Sequence, residues 1–309
     1  MPNLERRRRY QTADRTAQPD QGKPREPDIF VRLEQAVGAI HDSDTFRRYL
    51  DVQSRFPTYS PNNVVLILSQ RPDATRVAGY ATWRALDRQV RRGEKGIRII
   101  VPMRRKENEE DTPEESRLFF GSAVVFDVSQ TDGAPLPEVP VPILEGEAGG
   151  TLMESLLAWA GQEGVRVRLD RGELPRSAMG DYTPSEQSIR LAAAPMRQMV
   201  KTLAHELGHH VHLTRFGEES RVQEERETVA EAVAYVVCAA HGIDTGERSF
   251  SYIATWAEDG RALKAAMGTI QKVAAVIIEG INSAVGTATA LGNDAQDVAS
   301  QTVGVPRAS

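Results

Sequence analysis

Residues 202–213 read TLAHELGHHVHL, and four of the chain's six histidines fall between positions 205 and 212. The stretch lies inside a predicted helix over about 195–216. On a helix, His205 and His209 stand one turn apart and project the same way, so both rings can share one ion. Glu206 sits beside them, placed to take a proton from a metal-bound water. This is the HExxH arrangement of catalytic zinc sites. His210 projects about 100° from His209 and falls outside that ligand face, and His212 and His241 read as incidental.

Such a site needs a third protein ligand, with the fourth position left for water. The next predicted helix, over 222–241, carries Glu227 and Glu231, again four apart on one face, while Val229 and Val233 point toward a core. The connection TRFGEESRVQ is short, which makes the two helices neighbours. Glu227 is assigned as the ligand and Glu231 as the acid that orients a ligating histidine. The reverse assignment stays open.

Around this pair the chain is organised as α+β in two domains. Residues 1–27 are polar, contain proline and lack periodicity, and read as a disordered tail. Helical spacing starts at Asp28 with Ile29, Leu33, Val37 and Ile40. Ser60-Pro61 reads as a helix start, with the serine side chain as cap and proline at the first helical position. A short helix near Ala81–Leu86 is followed by RRGEKG as a turn. Strands are expected at Ile97–Val101 and from Leu118 to Val128, the second broken at Gly121, with the acidic loop KENEEDTPEES between them. This N-terminal helical and β-hairpin domain, 28–132, ends at a linker, 133–148, whose GAPLPEVPVP has four prolines in ten residues. The C-terminal domain, 149–282, opens with a helix over Thr151–Glu163 and a strand over Val165–Leu169. Two short strands follow near Met179–Tyr182 and Ser188–Leu191, then helices over 195–216, 222–241 and 260–281. Residues 283–309 read as a second disordered tail.

Charge divides the two halves. The formal net charge is −5, yet Arg76–Lys106 holds ten basic residues against Asp87 and Glu94, a local excess of eight positive charges. That field attracts polyanions. With Tyr59, Tyr80 and Trp83 in the same region, it offers phosphate contacts and rings for base stacking, the two ingredients of sequence-neutral single-strand binding. No apolar run approaches the roughly 18 residues of a membrane span, no secretory signal is recognisable, and the single cysteine, Cys238, suits a reducing cytoplasm. No feature reports on oligomeric state.

Two resemblances sharpen these expectations. GDYTPSEQSIRL (180–191), TLAHELGHH (202–210) and ETVAEAVAYVV (227–237) resemble the ImmA/IrrE group of gluzincin metallopeptidases. That likeness implies zinc held by His205, His209 and Glu227, Glu206 as general base, and a strand near Ser188–Leu191 able to pair with an extended peptide. Val229 and Glu231 depart from the group's usual ExEAN or ExEAD. An oxyanion partner is not assignable, with Tyr182, Tyr235 and Tyr252 as candidates.

SPNNVVLILSQ (60–70), VAGYATWRAL (77–86), RRGEKGIRIIVP (91–102) and VVFDVSQTDG (124–133) resemble the N-terminal domain of ArdC-type antirestriction proteins, which often carry Gly where this chain has Asp87. The resemblance implies a mobile-element protein that binds single-stranded DNA non-specifically. Arg88, Arg91, Arg92, Lys95 and Arg98 are the expected phosphate contacts, and Tyr80 and Trp83 the expected stacking rings. Three functions remain: a DNA-binding antirestriction protein with a zinc peptidase domain, where another divalent ion can replace zinc; a regulatory protease acting on a repressor or restriction subunit; and a DNA-binding protein with a non-catalytic metal site.

Overall fold

The computed structural model describes residues 28–105, 117–136, 149–170, 178–217, 222–245, 253–258 and 260–284. Both tails expected to be disordered (1–27 and most of 283–309), the acidic loop, Tyr252 and most of the linker lie outside these residues.

Three helices open the chain: α1 (Ile29–Gly38), α2 (Ser43–Arg55) and α3 (Pro61–Gln70). Asp42 caps α2 by accepting from Thr45 N at 2.8 Å, while the Thr45 hydroxyl reaches back to the Asp42 amide. Ser60 makes no such side-chain bond, and α3 starts on Pro61 alone. The strand β1 (Val77–Ala78) leads to the short helix α4 (Tyr80–Ala85) and to β2 (Arg88–Val90). A long hairpin follows, β3 (Ile97–Arg105) and β4 (Arg117–Asp127), and then β5 (Thr131–Gly133). Strand order is β1-β4-β3, with β2-β5 a separate antiparallel pair.

β4 runs unbroken through Gly121, where a break was expected. The residue pairs with Val101, and the neighbouring Met103 side chain lies over it with its sulfur 2.6 Å from any Cβ added there, so glycine fits the pairing rather than ending it. The Asp87 position also explains itself: its φ of 54° lies in the left-handed region, which Gly adopts freely and Asp tolerates.

Ile97, Ile99 and Val101 point inward onto the α1–α3 layer and are essentially inaccessible. The outer edge of β3 is closed by two side-chain amides of α3. Asn63 donates to Ile100 O and accepts from Ile100 N at 2.9 and 2.8 Å. Gln70 does the same for Arg98 at 2.9 and 3.0 Å. Over Arg98–Ile100 the edge is thereby closed to a foreign strand.

At the far end of β4, buried Asp127 accepts from the amides of Thr75, Arg76 and Ser129 at 2.7–3.0 Å. Burial by itself would raise its pKa, but the bonds from Ser129, Thr75 and Arg76 outweigh it and hold the carboxyl below its usual value of 3.8. Asp127→Ala should therefore cost about 2 kcal/mol or more in a denaturant titration, because three amides lose their acceptor. A folded pKa below the unfolded one places this stabilisation above pH 3.8 and removes it as pH falls through the lower folded value. A mutant whose loss of stability is the same at pH 7 and pH 2.5 would contradict the assignment.

The second half comprises α5 (Gly150–Gln162), β6 (Arg166–Asp170), β7 (Gly180–Thr183), β8 (Ser188–Ala192), α6 (Met196–Val211), α7 (Gln223–Ala240), α8 (Ile253–Glu258) and α9 (Gly260–Ala284). β8 is central, parallel to β6 and antiparallel to β7. The hydrophobic core is continuous from Ile29 to Ile281, across the segment expected to act as a linker. α2 packs on α7, where Tyr235 donates to Asp51 Oδ1 at 2.6 Å. Phe46 of α2 meets Trp256 of α8 edge-on at 6.4 Å, and Gln271 of α9 donates to Pro57 O. No helix among the described residues is long and apolar enough to cross a membrane.

Candidate functional site

α6 buries Val200, Leu203, Ala204, Leu207 and Val211, which turns His205 and His209 toward α7. The two helices approach closely at Gly208, where an added Cβ would stand 3.3 Å from Val233 Cγ1. That contact brings the acids of α7 alongside the histidines. The Nε2 atoms of His205 and His209 face each other at 3.2 Å, with the rings inclined at 72°. Glu227 Oε2 lies 3.2 Å from the first Nε2 and 3.9 Å from the second.

His205, His209 and Glu227 thus bring ligand atoms within 4.8 Å of one another. Two nitrogens held at about 2.05 Å from one tetrahedral centre stand about 3.3 Å apart, so the donor set and its spacing suit a divalent cation. The hydrogen bond from His205 and the nearby His209 imidazole hold the Glu227 carboxyl well below the usual carboxylate range. Burial opposes a charge on His205, but Glu227 and Glu231 outweigh it and raise its pKa.

Glu231 lies outside this triangle. Its Oε2 faces the other side of the His205 ring, 3.6 Å from Nδ1, and its Oε1 is 2.6 Å from Lys201 Nζ. Burial would raise its pKa, yet His205 and Lys201 bring it down to about 2. Lys201 escaped notice in the sequence, although it stands one turn before His205 on the same helix face.

Glu206 is buried, and burial pushes its pKa up. β7 passes directly over it: a Cβ at Gly180 would lie 3.1 Å from Glu206 Oε1 and 2.5 Å from Thr202 Cγ2. The expectation that the 188–191 strand receives a peptide is corrected here, because β8 is hydrogen-bonded on both edges. β7 is one of that sheet's two edge strands among the described residues, and the one lying beside Glu206. Tyr182 bonds His210 Nδ1 at 2.8 Å and Tyr235 bonds Asp51, so both rings have structural partners. His210 is a buried core histidine.

In the basic half, Tyr80 is 50% exposed, but Trp83 is 2% exposed and its Nε1 donates to Phe126 O at 2.8 Å. A ring buried in this way cannot stack on a base, which corrects its assignment. Arg88 is folded back onto Thr131, Gly133 and Ala134. Arg91 pairs with Glu94 at 2.7 Å and with Asp132 at 3.3 Å. Both guanidinium groups thus brace the β2-β5 pair instead of standing clear as phosphate contacts. Arg92 and Lys95 are exposed in the turn before β3, and Arg98 is half-buried with Ser122 Oγ at 3.3 Å. The sequence reading missed Phe120 and Val124, 60% and 47% exposed on the same hairpin face as Arg98. The alternation of β4 was the available signal.

Fold and site together define a class: an α+β protein in which one helix offers two histidines a turn apart and its neighbour a carboxylate. Residues 29–126 match the family described as the N-terminal domain of anti-restriction factor ArdC. The chain resembles the crystal structure of antirestriction protein ArdC from plasmid R388. The metal-free form gives a TM-score of 0.53 at 21% identity, covering 81% of this chain and 98% of that one. The Mn(II)-bound form gives 0.51 at 20%, covering 82% and 98%. The chain is also 26% identical to uncharacterised protein pXO2-81 of Bacillus anthracis, over 71% of its own length and 44% of the relative's. With uncharacterised protein y4eC of Sinorhizobium fredii it shares 28% identity, over 63% of this chain and 68% of that protein. It therefore spans less than half the length of the first of these relatives. Residues 29–126 thus correspond to the ArdC N-terminal domain, and the chain shares the fold of a solved ArdC protein.

Proposed function

We propose that this is a cytoplasmic antirestriction protein that binds single-stranded DNA through its N-terminal half and carries a zinc-dependent peptidase centre of gluzincin type. The observation that carries this reading is the convergence of His205, His209 and Glu227 beside a buried Glu206. The two Nε2 atoms and Glu227 Oε2 would hold the ion. Their N2O donor set suits zinc, and Mn(II) in the solved ArdC shows that another divalent ion enters a related fold. When bound, the ion lowers the pKa of its water toward about 7 and polarises a carbonyl. Glu206 accepts the water proton and returns it to the leaving amine, with its elevated pKa suiting both directions of transfer. A purely structural ion would have no use for that carboxylate.

Single-strand binding rests on the exposed Arg92, Lys95 and Tyr80, with Arg98 on the hairpin face. Titration with an oligonucleotide at two salt concentrations tests it, alongside metal analysis of the purified protein. Arg92→Ala should reduce the magnitude of the logarithmic salt slope by about 0.7, the share of one phosphate contact on a single strand. Tyr80→Ala should weaken binding by roughly 1–3 kcal/mol and leave the slope unchanged. Unaltered binding in both variants would remove this surface from the proposal.

A further inference from the structure

We propose that Lys201 is a positioning residue of the metal centre, acting through Glu231 on His205. The inference rests on the metal reading above and names the groups that aim one of its ligands.

Lys201 is 7% exposed, and its ammonium lies 2.6 Å from Glu231 Oε1. The other oxygen of the same carboxylate faces His205 Nδ1 at 3.6 Å, a few tenths of an ångström beyond a hydrogen bond. His205 Nε2, on the opposite side of the ring, is the atom that faces His209 and Glu227. The three side chains form a line across the two helices, with Lys201 and His205 one turn apart on α6 and Glu231 reaching over from α7.

A carboxylate tied at one oxygen to a buried ammonium is restricted in rotation. With Oε1 tied to the ammonium, Oε2 is kept toward Nδ1, which favours the proton there and leaves the Nε2 lone pair for the ion. The same tether keeps Glu231 from swinging round to compete with Glu227 for the ligand place. Stability alone is a poor reason for burying an ammonium, since an apolar pair of similar volume serves as well or better. Here the buried pair ends on a ring nitrogen of the candidate ligand.

The test uses the full chain and Zn2+ affinity measured by chelator competition. Lys201→Met and Glu231→Gln should each weaken binding by about 10–100-fold, the usual effect of losing a partner of a ligating histidine. The double variant should be no weaker than the weaker single one, because both act on the same ring. A second readout is the exchangeable His205 Nδ1–H resonance of the Co2+-loaded protein. It should be present in the wild type and lost to solvent exchange in Lys201→Met. Unchanged affinity and an unchanged resonance in that variant would overturn the proposal while leaving the metal reading intact, as would multiplicative losses in the double variant. If Lys201→Met does not fold, the double variant, which leaves no buried charge unpaired, is compared with Glu231→Gln. Equal affinities support the proposal and a further tenfold loss overturns it. A wild-type chain that takes up neither Zn2+ nor Mn2+ would overturn the metal reading, and this proposal with it.

Discussion

Replacing Glu206 by glutamine should leave Zn2+ affinity within a few-fold of wild type while lowering peptide hydrolysis by about 10²–10⁴-fold, the usual contribution of a positioned general base. The two effects separate because Glu206 is not among the converging ligand atoms. Glutamine matches the shape of the carboxylate and fits the narrow space under Gly180, but it cannot accept the water proton. His209→Ala should behave differently and lose the ion itself. The measurement is the release of new amino termini from a peptide library by metal-loaded protein, beside chelator competition on both variants. Equal hydrolysis by wild type and Glu206→Gln would show that this carboxylate is not the base. A loaded wild type that cleaves nothing in the library would leave the DNA-binding half of the proposal standing alone.

Trp83→Ala should cost about 3–5 kcal/mol of stability, the range for emptying a buried aromatic site. The ring lies between α4 and the sheet, and its N–H holds the carbonyl of Phe126. Trp83→Phe keeps most of the volume and drops only that bond, so its cost should be nearer 1–2 kcal/mol. Neither effect should depend on DNA. Folded Trp83→Phe is expected to bind single strands as wild type does, in contrast to Tyr80→Ala. A Trp83→Phe protein of wild-type stability that had lost single-strand affinity would restore the stacking role and contradict the burial.

Much of the architecture was legible because it is periodic. The helices expected over 151–163, 222–241 and 260–281 lie within a few residues of α5, α7 and α9, since each keeps one apolar face along its own axis. The strand pair near 179–182 and 188–191 was equally clear. β1, β2 and β5 went unseen because strands of two or three residues show no measurable alternation; they exist only through their partners. The turn expected at RRGEKG begins one residue past β2, and β2 pairs with a segment whose last residue, Gly133, is assigned to the linker. Arg88 and Arg91, chosen for their charge, are held by Gly133, Ser129 and Asp132, all more than 35 residues away in sequence, with Glu94 a local partner of Arg91. Nothing local announces the distant partners.

The sequence by itself determined what one helix can determine: His205 and His209 point the same way, Glu206 sits beside them, and Glu227 and Glu231 share a face. Those statements follow from a repeat of about 3.6 residues and need no neighbour. Which acid meets which nitrogen was decided by the crossing of α6 and α7 at Gly208. Whether Trp83 faced solvent was decided by the docking of α4 on β4. Spacing along a chain sets directions around a single axis, but the distance and rotation between axes come from the packing of side chains brought together from elsewhere. The sequence could therefore name the ligands and the rings, and only the packed structure could sort those that converge or stay exposed from those buried or tied to partners.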